Sequence, residues 1–225
     1  PGFIKKIKKI LEIVCHNCSK VLADRSNPAY KAAVSIRDPK RRFDTIWRLC
    51  KPKMICDSDV GNEKNKDEEY APGLKPNQVE NHGGCGNTQP EVRQTALQLW
   101  GTWKPSKDED KKSKKKKSIT AEMALAVFRS ISTAEIHDLG LSTDYARPEW
   151  MIITVLPVPP PPVRPSISMD GTGQGMRGED DLTYKLGDII RANGNVKQAQ
   201  QEGSPAHILS DFEMLLQYHV ATYMT

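Results

Sequence analysis

The sequence predicts an α+β fold, mainly helical with short strands, in which a metal-stabilised core is joined to an antiparallel helical hairpin. Three observations predict it. Apolar residues recur at helical spacing in several separate stretches. One short run, Trp150 to Leu156, is apolar and rich in β-branched residues. Cysteines occur as a close pair followed by later single residues, a spacing that suits a metal better than a set of disulfides.

The first stripe is Phe3, Ile7, Ile10, Leu11 and Val14, with lysines on the opposite side. It reads as a surface helix packed on its own domain. A second helix spans 40–50, where Phe43, Ile46, Trp47 and Cys50 form one buried stripe. Cys50 then lies on a core face, where a thiol behaves as a small hydrophobe. Residues 57–81 and 105–118 are polar and read as loops, partly disordered. A helix is expected at 120–131, with Thr120 as N-cap and Met123, Val127, Phe128 and Ile131 on one face. Trp150 to Leu156 reads as a buried strand ended by Pro157. The run PVPPPPVRP must be extended, because proline fixes φ and restricts its predecessor. It reads as a stiff connector rather than a polyproline ligand.

Residues 169–178 contain four glycines and read as a mobile loop. Their GTGQGMRG only approximates a dinucleotide fingerprint and does not follow directly from an expected strand. The hairpin occupies 181–225. Leu182, Leu186, Ile189, Ile190 and Val196 stripe its first helix; Ile208, Phe212, Leu215, His219 and Val220 stripe its second. Asp180 and Asp181 start the first helix, Gly203 stops it, and Ser204 is expected to cap the second with Pro205 in its first turn. The resulting division is 1–104 (metal-binding core), 105–118 (variable basic loop), 119–162 (helix and buried strand), 163–180 (loop) and 181–225 (hairpin).

Composition limits the function. The chain has 225 residues, 37% hydrophobic and 27% charged, which allows a modest core. The net charge of +5 is compatible with nucleic acid but does not establish contact. Much of it comes from Lys111 to Lys117, read as a solvated loop. No apolar stretch approaches the ~20 residues of a membrane span, and no signal peptide is evident. Pro1 and Thr225 read as cut ends of a longer chain. Five cysteines, an odd number, argue for a reducing compartment, cytosol or nucleus.

The strongest chemical signal is Cys15-His16-Asn17-Cys18, followed by Cys56 in KMICDS and Cys85 in HGGCGN. Two thiolates separated by two residues bind one ion from a tight turn, and tetrahedral Zn²⁺ takes its other two ligands from further along the chain. His16 and His82 are weaker candidates, His16 because it sits inside the turn. Lys20, Lys51 and Lys53 could offset the negative charge of four thiolates around Zn²⁺. A closed Cys₄ site has no open position and is structural. No catalytic constellation is evident. A free-standing zinc module that binds nucleic acid or protein factors is the alternative that these residues leave open.

The segments KIKKILEIVCHNC, RDPKRRFDTIW, KPKMIC, HGGCGNTQP, RPEWMIITVLPVPPPPVRPSIS, RGEDDLTYKLGDIIRAN and LLQYHVATYM closely resemble, in order, the largest subunit of eukaryotic DNA-directed RNA polymerase II. The resemblance implies a fragment of a nuclear nucleotidyltransferase, from the mobile clamp that closes over DNA. It implies that Cys15, Cys18, Cys56 and Cys85, but not Cys50, bind structural Zn²⁺. It implies that the loop from Met169 to Gly178 is a lid that parts RNA from template, with Arg164, Met169 and Arg177 as nucleic-acid contacts. The hairpin would be the clamp coiled coil, docking initiation and elongation factors at a tip that includes Asn195, Gln201 and Glu202. Partners would be the other polymerase subunits, the DNA template and the RNA–DNA hybrid. The aspartate segment that binds catalytic Mg²⁺ in the family is absent, so this piece alone is expected to be inert. The lid is longer than usual, and Gly187 and Gly194 depart from the family pattern within a helix.

Overall fold

The computed structural model describes residues 2–58, 83–104 and 115–225. Within them the chain forms two compact units, Gly2–Ile153 and Thr154–Thr225. Both helix and antiparallel sheet are present, as expected for an α+β chain.

In the first unit, α1 (Ile4–Leu11), α2 (Pro28–Val34) and α3 (Pro39–Cys50) precede a three-stranded sheet, and α4 (Ala121–Arg129) and α5 (Thr133–Asp138) follow it. The helix starts obey local chemistry. Asn27 and Asp38 cap α2 and α3, each with proline in the first turn. Thr120 accepts from Met123 N–H, the cap expected from sequence. Ser132 and Glu135 form a reciprocal capping box on α5. The apolar faces converge on one core containing Ile10, Leu11, Val14, Phe43, Ile46, Cys50, Phe128 and Ile136. Phe3 is the exception in the first stripe: at the N-terminal edge of α1 it is 61% exposed. Polar ties lock the same faces. Trp47 Nε1–H donates to Glu12 at 2.7 Å, and Lys9 reaches Asp44 at 2.8 Å.

The sheet consists of β1 (Glu91–Thr95), β2 (Gln98–Trp103) and β3 (Lys115–Ile119), in that order and antiparallel. Val92, Leu99 and Ile119 are buried on one face. Val92 pairs with Gly101, and Leu99 pairs with Ile119. The period-2 pattern then turns Arg93, Trp100 and Lys116 to the other face. A Cβ added at Gly101 would come to 2.8 Å from the Trp103 ring, which would then have to shift.

Two sequence expectations are corrected here. Residues 115–118, read as part of a loop, belong to β3; cross-strand pairing with β2 overrides the low strand propensity of lysine. The remainder of that loop, and 59–81 of the other, lie outside the described residues. The run Trp150 to Leu156 is not a buried strand. Pro148 opens a 3₁₀ turn over Pro148–Met151, the run has no ladder partner, and Trp150, Ile153 and Val155 are exposed at 55%, 45% and 83%. Its composition suits a strand, but among the described residues it pairs with none.

The second unit begins with the proline segment, which forms a short 3₁₀ turn at Pro161–Val163. Arg164 holds that segment, donating to Pro159 O at 3.0 Å and to Thr183 Oγ1 at 3.3 Å. A small antiparallel ladder follows between β4 (Ile167–Ser168) and β5 (Arg177–Gly178). The hairpin helices are α6 (Asp181–Gln201) and α7 (Ala206–Tyr223). Asp180 caps α6, and Gly203, at φ +64°, terminates it. Pro205 rather than Ser204 occupies the N-cap of α7; Ser204 N–H instead donates back to Ala199 O. Buried Ile189, Ala192, Val196 and Ala199 recur at alternating steps of three and four, the seam of an antiparallel pair. Ile190, expected on that seam, is 71% exposed, and Leu215 is 43% exposed while Leu216 is turned further inward. Ile189 and Val196 of the expected stripe are buried, so each error is a single residue beside the seam.

Candidate metal centre

Two chain reversals bring the cysteines together. In the first, Val14 and Val21 bridge as an antiparallel pair, and the chain between them folds into a tight knuckle. Cys15 N–H donates to Lys20 O, and Ser19 N–H donates to Cys15 O. Ser19 takes φ +62° to close the turn. The second reversal repeats the device with residues distant in sequence. Ile55 bridges Thr88, Cys56 N–H donates to Asn87 O, and Gln89 N–H donates to Met54 O. Gly83 and Gly86, both at positive φ, bend the chain on either side of Cys85.

The sulfur atoms of Cys15, Cys18, Cys56 and Cys85 all lie within 4.8 Å of one another and can hold one metal ion. Cys15 Sγ is 3.5 Å from Cys85 Sγ, and Cys18 Sγ is 3.7 Å from Cys56 Sγ. Four sulfurs at about 2.3 Å from a tetrahedral Zn²⁺ would be separated by about 3.8 Å, so the donor set fits that ion in type and spacing. Cys15 and Cys56 are buried and Cys18 and Cys85 partly so, which leaves little room for an exchangeable ligand. Cys50 is buried outside the cluster, and burial raises its thiol pKa to about 12.

Amide donors surround the sulfurs. Cys15 Sγ accepts from Asn17 N–H, Cys18 N–H and Gln89 Nε2–H at 3.4, 3.5 and 3.2 Å. Cys85 Sγ accepts from Asn87 Nδ2–H at 3.4 Å. Gln89, itself buried, accepts from His16 N–H through Oε1 and so braces the two knuckles together. These donors stabilise thiolate charge in a desolvated setting. Asn17, Asn87 and Gln89 were not singled out from sequence, although amides within a few residues of CxxC and CGN are a readable signal. Burial raises the Cys15 and Cys56 thiols well above their usual range. Burial also acts to raise Cys85, but hydrogen bonds from Asn87 N–H and from the Asn17, Cys15 and Asn87 side chains outweigh it and bring the pKa to about 6.

The secondary candidates have other roles. His16 hydrogen-bonds Leu11 O at 2.9 Å through Nε2, and burial depresses its basicity, so it is a packed histidine. His82 lies outside the described residues. Lys53 pairs with Asp57 at 2.8 Å, and Lys51 sits over the Trp47 ring. Arg164 is committed to the proline segment. Met169 and Arg177 are exposed beside the small ladder. Asn195, Gln201 and Glu202 are exposed at the distal end of α6, where Gln198 reaches Glu202 at 2.7 Å. GTGQGMRG leads from β4 into β5 rather than into a helix, so it lacks the helix N-terminus that a dinucleotide pyrophosphate requires. No described helix is long and apolar enough to cross a membrane.

Compared with known protein families, the sequence matches the model of RNA polymerase Rpb1, domain 1, over residues 1–225.

Proposed function

The chain belongs to the RNA polymerase Rpb1 domain 1 family, and from that premise we propose that it forms part of the clamp of nuclear RNA polymerase II. As a piece of the largest subunit of a DNA-directed RNA polymerase, it works with other polymerase subunits and with DNA and RNA. Cys15, Cys18, Cys56 and Cys85 hold Zn²⁺, whose bonds tie a polar segment into a folded body. The ion supplies folding free energy and no reaction chemistry. Phosphoryl transfer needs Mg²⁺ held elsewhere in the assembled enzyme. The loop 163–180 acts as a lid against the RNA–DNA hybrid, with Met169 and Arg177 facing nucleic acid and Arg164 bracing the lid's base. The α6–α7 hairpin docks initiation and elongation factors through Asn195, Gln201 and Glu202.

The observation that carries this reading is the closed four-sulfur cluster in a chain matched to the family from end to end. A test is to assemble the polymerase with Cys56→Ser in this subunit. We expect the loss of one zinc and faster dissociation of template from transcribing complexes. Undiminished template retention after that zinc is lost would defeat the clamp assignment.

A further inference from the structure

We propose that Cys85 is a peroxide-sensitive modification site, and that its oxidation opens the metal centre by joining Cys85 to Cys15 in a reversible disulfide. The proposal rests on the reading of the four cysteines as Zn²⁺ ligands. Their sulfurs are not equally sheltered. Cys15 and Cys56 are buried, whereas Cys18 and Cys85 are partly exposed. Cys18 lies inside the first knuckle, next to buried Ser19. Cys85 stands in an open turn, where Gly83, Gly86, Asn87 and Thr88 are exposed around it. Gly83, Gly84 and Gly86 carry no side chain that could screen the sulfur. A small oxidant therefore reaches Cys85 more readily than the other three ligands. The Asn87 Nδ2–H donor at 3.4 Å favours the thiolate, the form that attacks peroxide.

Cys85 Sγ faces Cys15 Sγ at 3.5 Å, and Cys18 Sγ faces Cys56 Sγ at 3.7 Å. Both contacts run between the two knuckles rather than within CxxC. In the first step the Cys85 thiolate attacks one oxygen of hydrogen peroxide, the O–O bond breaks, and hydroxide leaves, giving a sulfenic acid. The Cys15 sulfur then attacks the Cys85 sulfur, the S–O bond breaks, and a second hydroxide leaves as the S–S bond forms. The two thiolates give up two electrons to the peroxide, and two protons from solvent turn the hydroxides into water. Loss of two of the four thiolate ligands releases Zn²⁺. Gln89 holds Cys15 in reach throughout. Its Nε2–H donates to Cys15 Sγ at 3.2 Å, its Oε1 accepts from His16 N–H, and its backbone N–H donates to Met54 O. These contacts tie the knuckles together without the metal. Indiscriminate oxidation of a thiolate site would give mixed bridges and overoxidised sulfurs. An exposed sulfur facing a buried one across braced turns selects one bridge.

The test treats the zinc-loaded 225-residue chain with equimolar hydrogen peroxide. A chromogenic chelator follows zinc release, and mass spectrometry after alkylation maps the bridges. Cys15–Cys85 should form first, in step with zinc release, while Cys18, Cys56 and Cys50 are recovered as thiols. Dithiothreitol and fresh Zn²⁺ should restore the starting zinc content. Cys85→His retains a competent donor set, because Cys₃His sites hold zinc, and should slow release by about tenfold. A first bridge between Cys15 and Cys18, or between Cys18 and Cys56, would overturn the proposal. So would zinc release with Cys85 unmodified, or a Cys85 sulfinic acid with no bridge. The bridge map can be read on metal-free chain as well, so it decides the proposal even if Cys85→His does not fold. A chain that takes up no zinc would defeat the Zn²⁺ reading instead, and the two can fail separately.

Discussion

Cys85 and Cys56 illustrate how two identical side chains acquire opposite chemistry. Cys85 lies in a glycine-bent turn, where an asparagine amide and the backbone bring its pKa to about 6. Cys56 is buried, and desolvation raises it. At neutral pH without metal, Cys85 is the thiolate that meets an incoming ion first, while Cys15 and Cys56 are still protonated. Metal must then displace those protons, so affinity rises with pH through the neutral range and falls on acidification. Adding Zn²⁺ to the metal-free chain at pH 7.5 should release protons, Cys15 and Cys56 among their sources, as measured by calorimetry in buffers of different ionisation enthalpy. Cys56→Ser should lose most of the zinc in elemental analysis, and Cys50→Ser should retain it. Cys15, Cys18 and Cys85 were legible in the sequence as a CxxC pair and a glycine-flanked cysteine, and Cys56 stood apart from Cys50 because Cys50 falls on the buried stripe of its helix. The amides of Asn17, Asn87 and Gln89 lie near the ligands in sequence, but which sulfur each one meets depends on the packing of two distant turns.

At the scale of elements, periodicity located α1, α3, α4, α6 and α7, but not the short α2 and α5, and it set the phase less well. Thr120 and Asp180 cap as expected because an N-cap is a local bargain between one side chain and the next turn. Ile189 and Val196 lie on the seam as expected, whereas Ile190 of α6 and Leu215 of α7 do not, because burial on a hairpin depends on the partner helix rather than on residue type. Small residues, Ala192 and Ala199, fill that seam instead. The three-stranded sheet was invisible for a related reason. EVRQT and KKKSI carry too few apolar residues to announce strands, and their pairing supplies what composition lacks. Leu216→Asp should therefore lower the melting temperature of the hairpin more than Leu215→Asp does. Gly187 and Gly194 yield a second test. Nothing lies within 4 Å of a Cβ placed at either position, so no packing contact demands glycine there. Gly187→Ala and Gly194→Ala should each stabilise α6 by about 1 kcal/mol, read from thermal melts. A destabilising result would mean that a partner approaches the backbone at these sites.

For the whole molecule, the order of motifs along the chain was more informative than any one element, and it is the feature that the family match shares. Exposed apolar side chains, which a sequence reading assigns to a core by default, make most sense when the chain is one part of a larger assembly. The loop 163–180 shows this best. Its ladder is only two residues per strand, fastened at the base by Ser166 hydroxyl donation to the Glu179 carboxylate at 3.0 Å and closed at the turn by Asp170, which accepts from Ser168 at 2.7 Å. Hydrogen bonds from Ser168 and Thr172 hold the Asp170 carboxyl below its usual pKa, which extends the turn's charge further toward acid pH. Met169 and Met176 emerge from this frame at 77% and 83% exposure. Two flexible thioether side chains on a braced hairpin make an adaptable apolar wedge, suited to unstacking a base pair rather than to holding phosphate. In the lid role proposed above, a wedge of that kind would act on the upstream end of the hybrid and would contribute nothing to nucleotide addition. Deleting 170–176 in the assembled polymerase should therefore lengthen the RNA–DNA hybrid, as measured by nuclease footprinting of stalled complexes. The rate of single-nucleotide addition should stay within about twofold. Met169→Ser with Met176→Ser should reproduce part of the lengthening while leaving the hairpin in place. A hybrid of normal length in both variants would show that strand separation is carried out elsewhere in the enzyme.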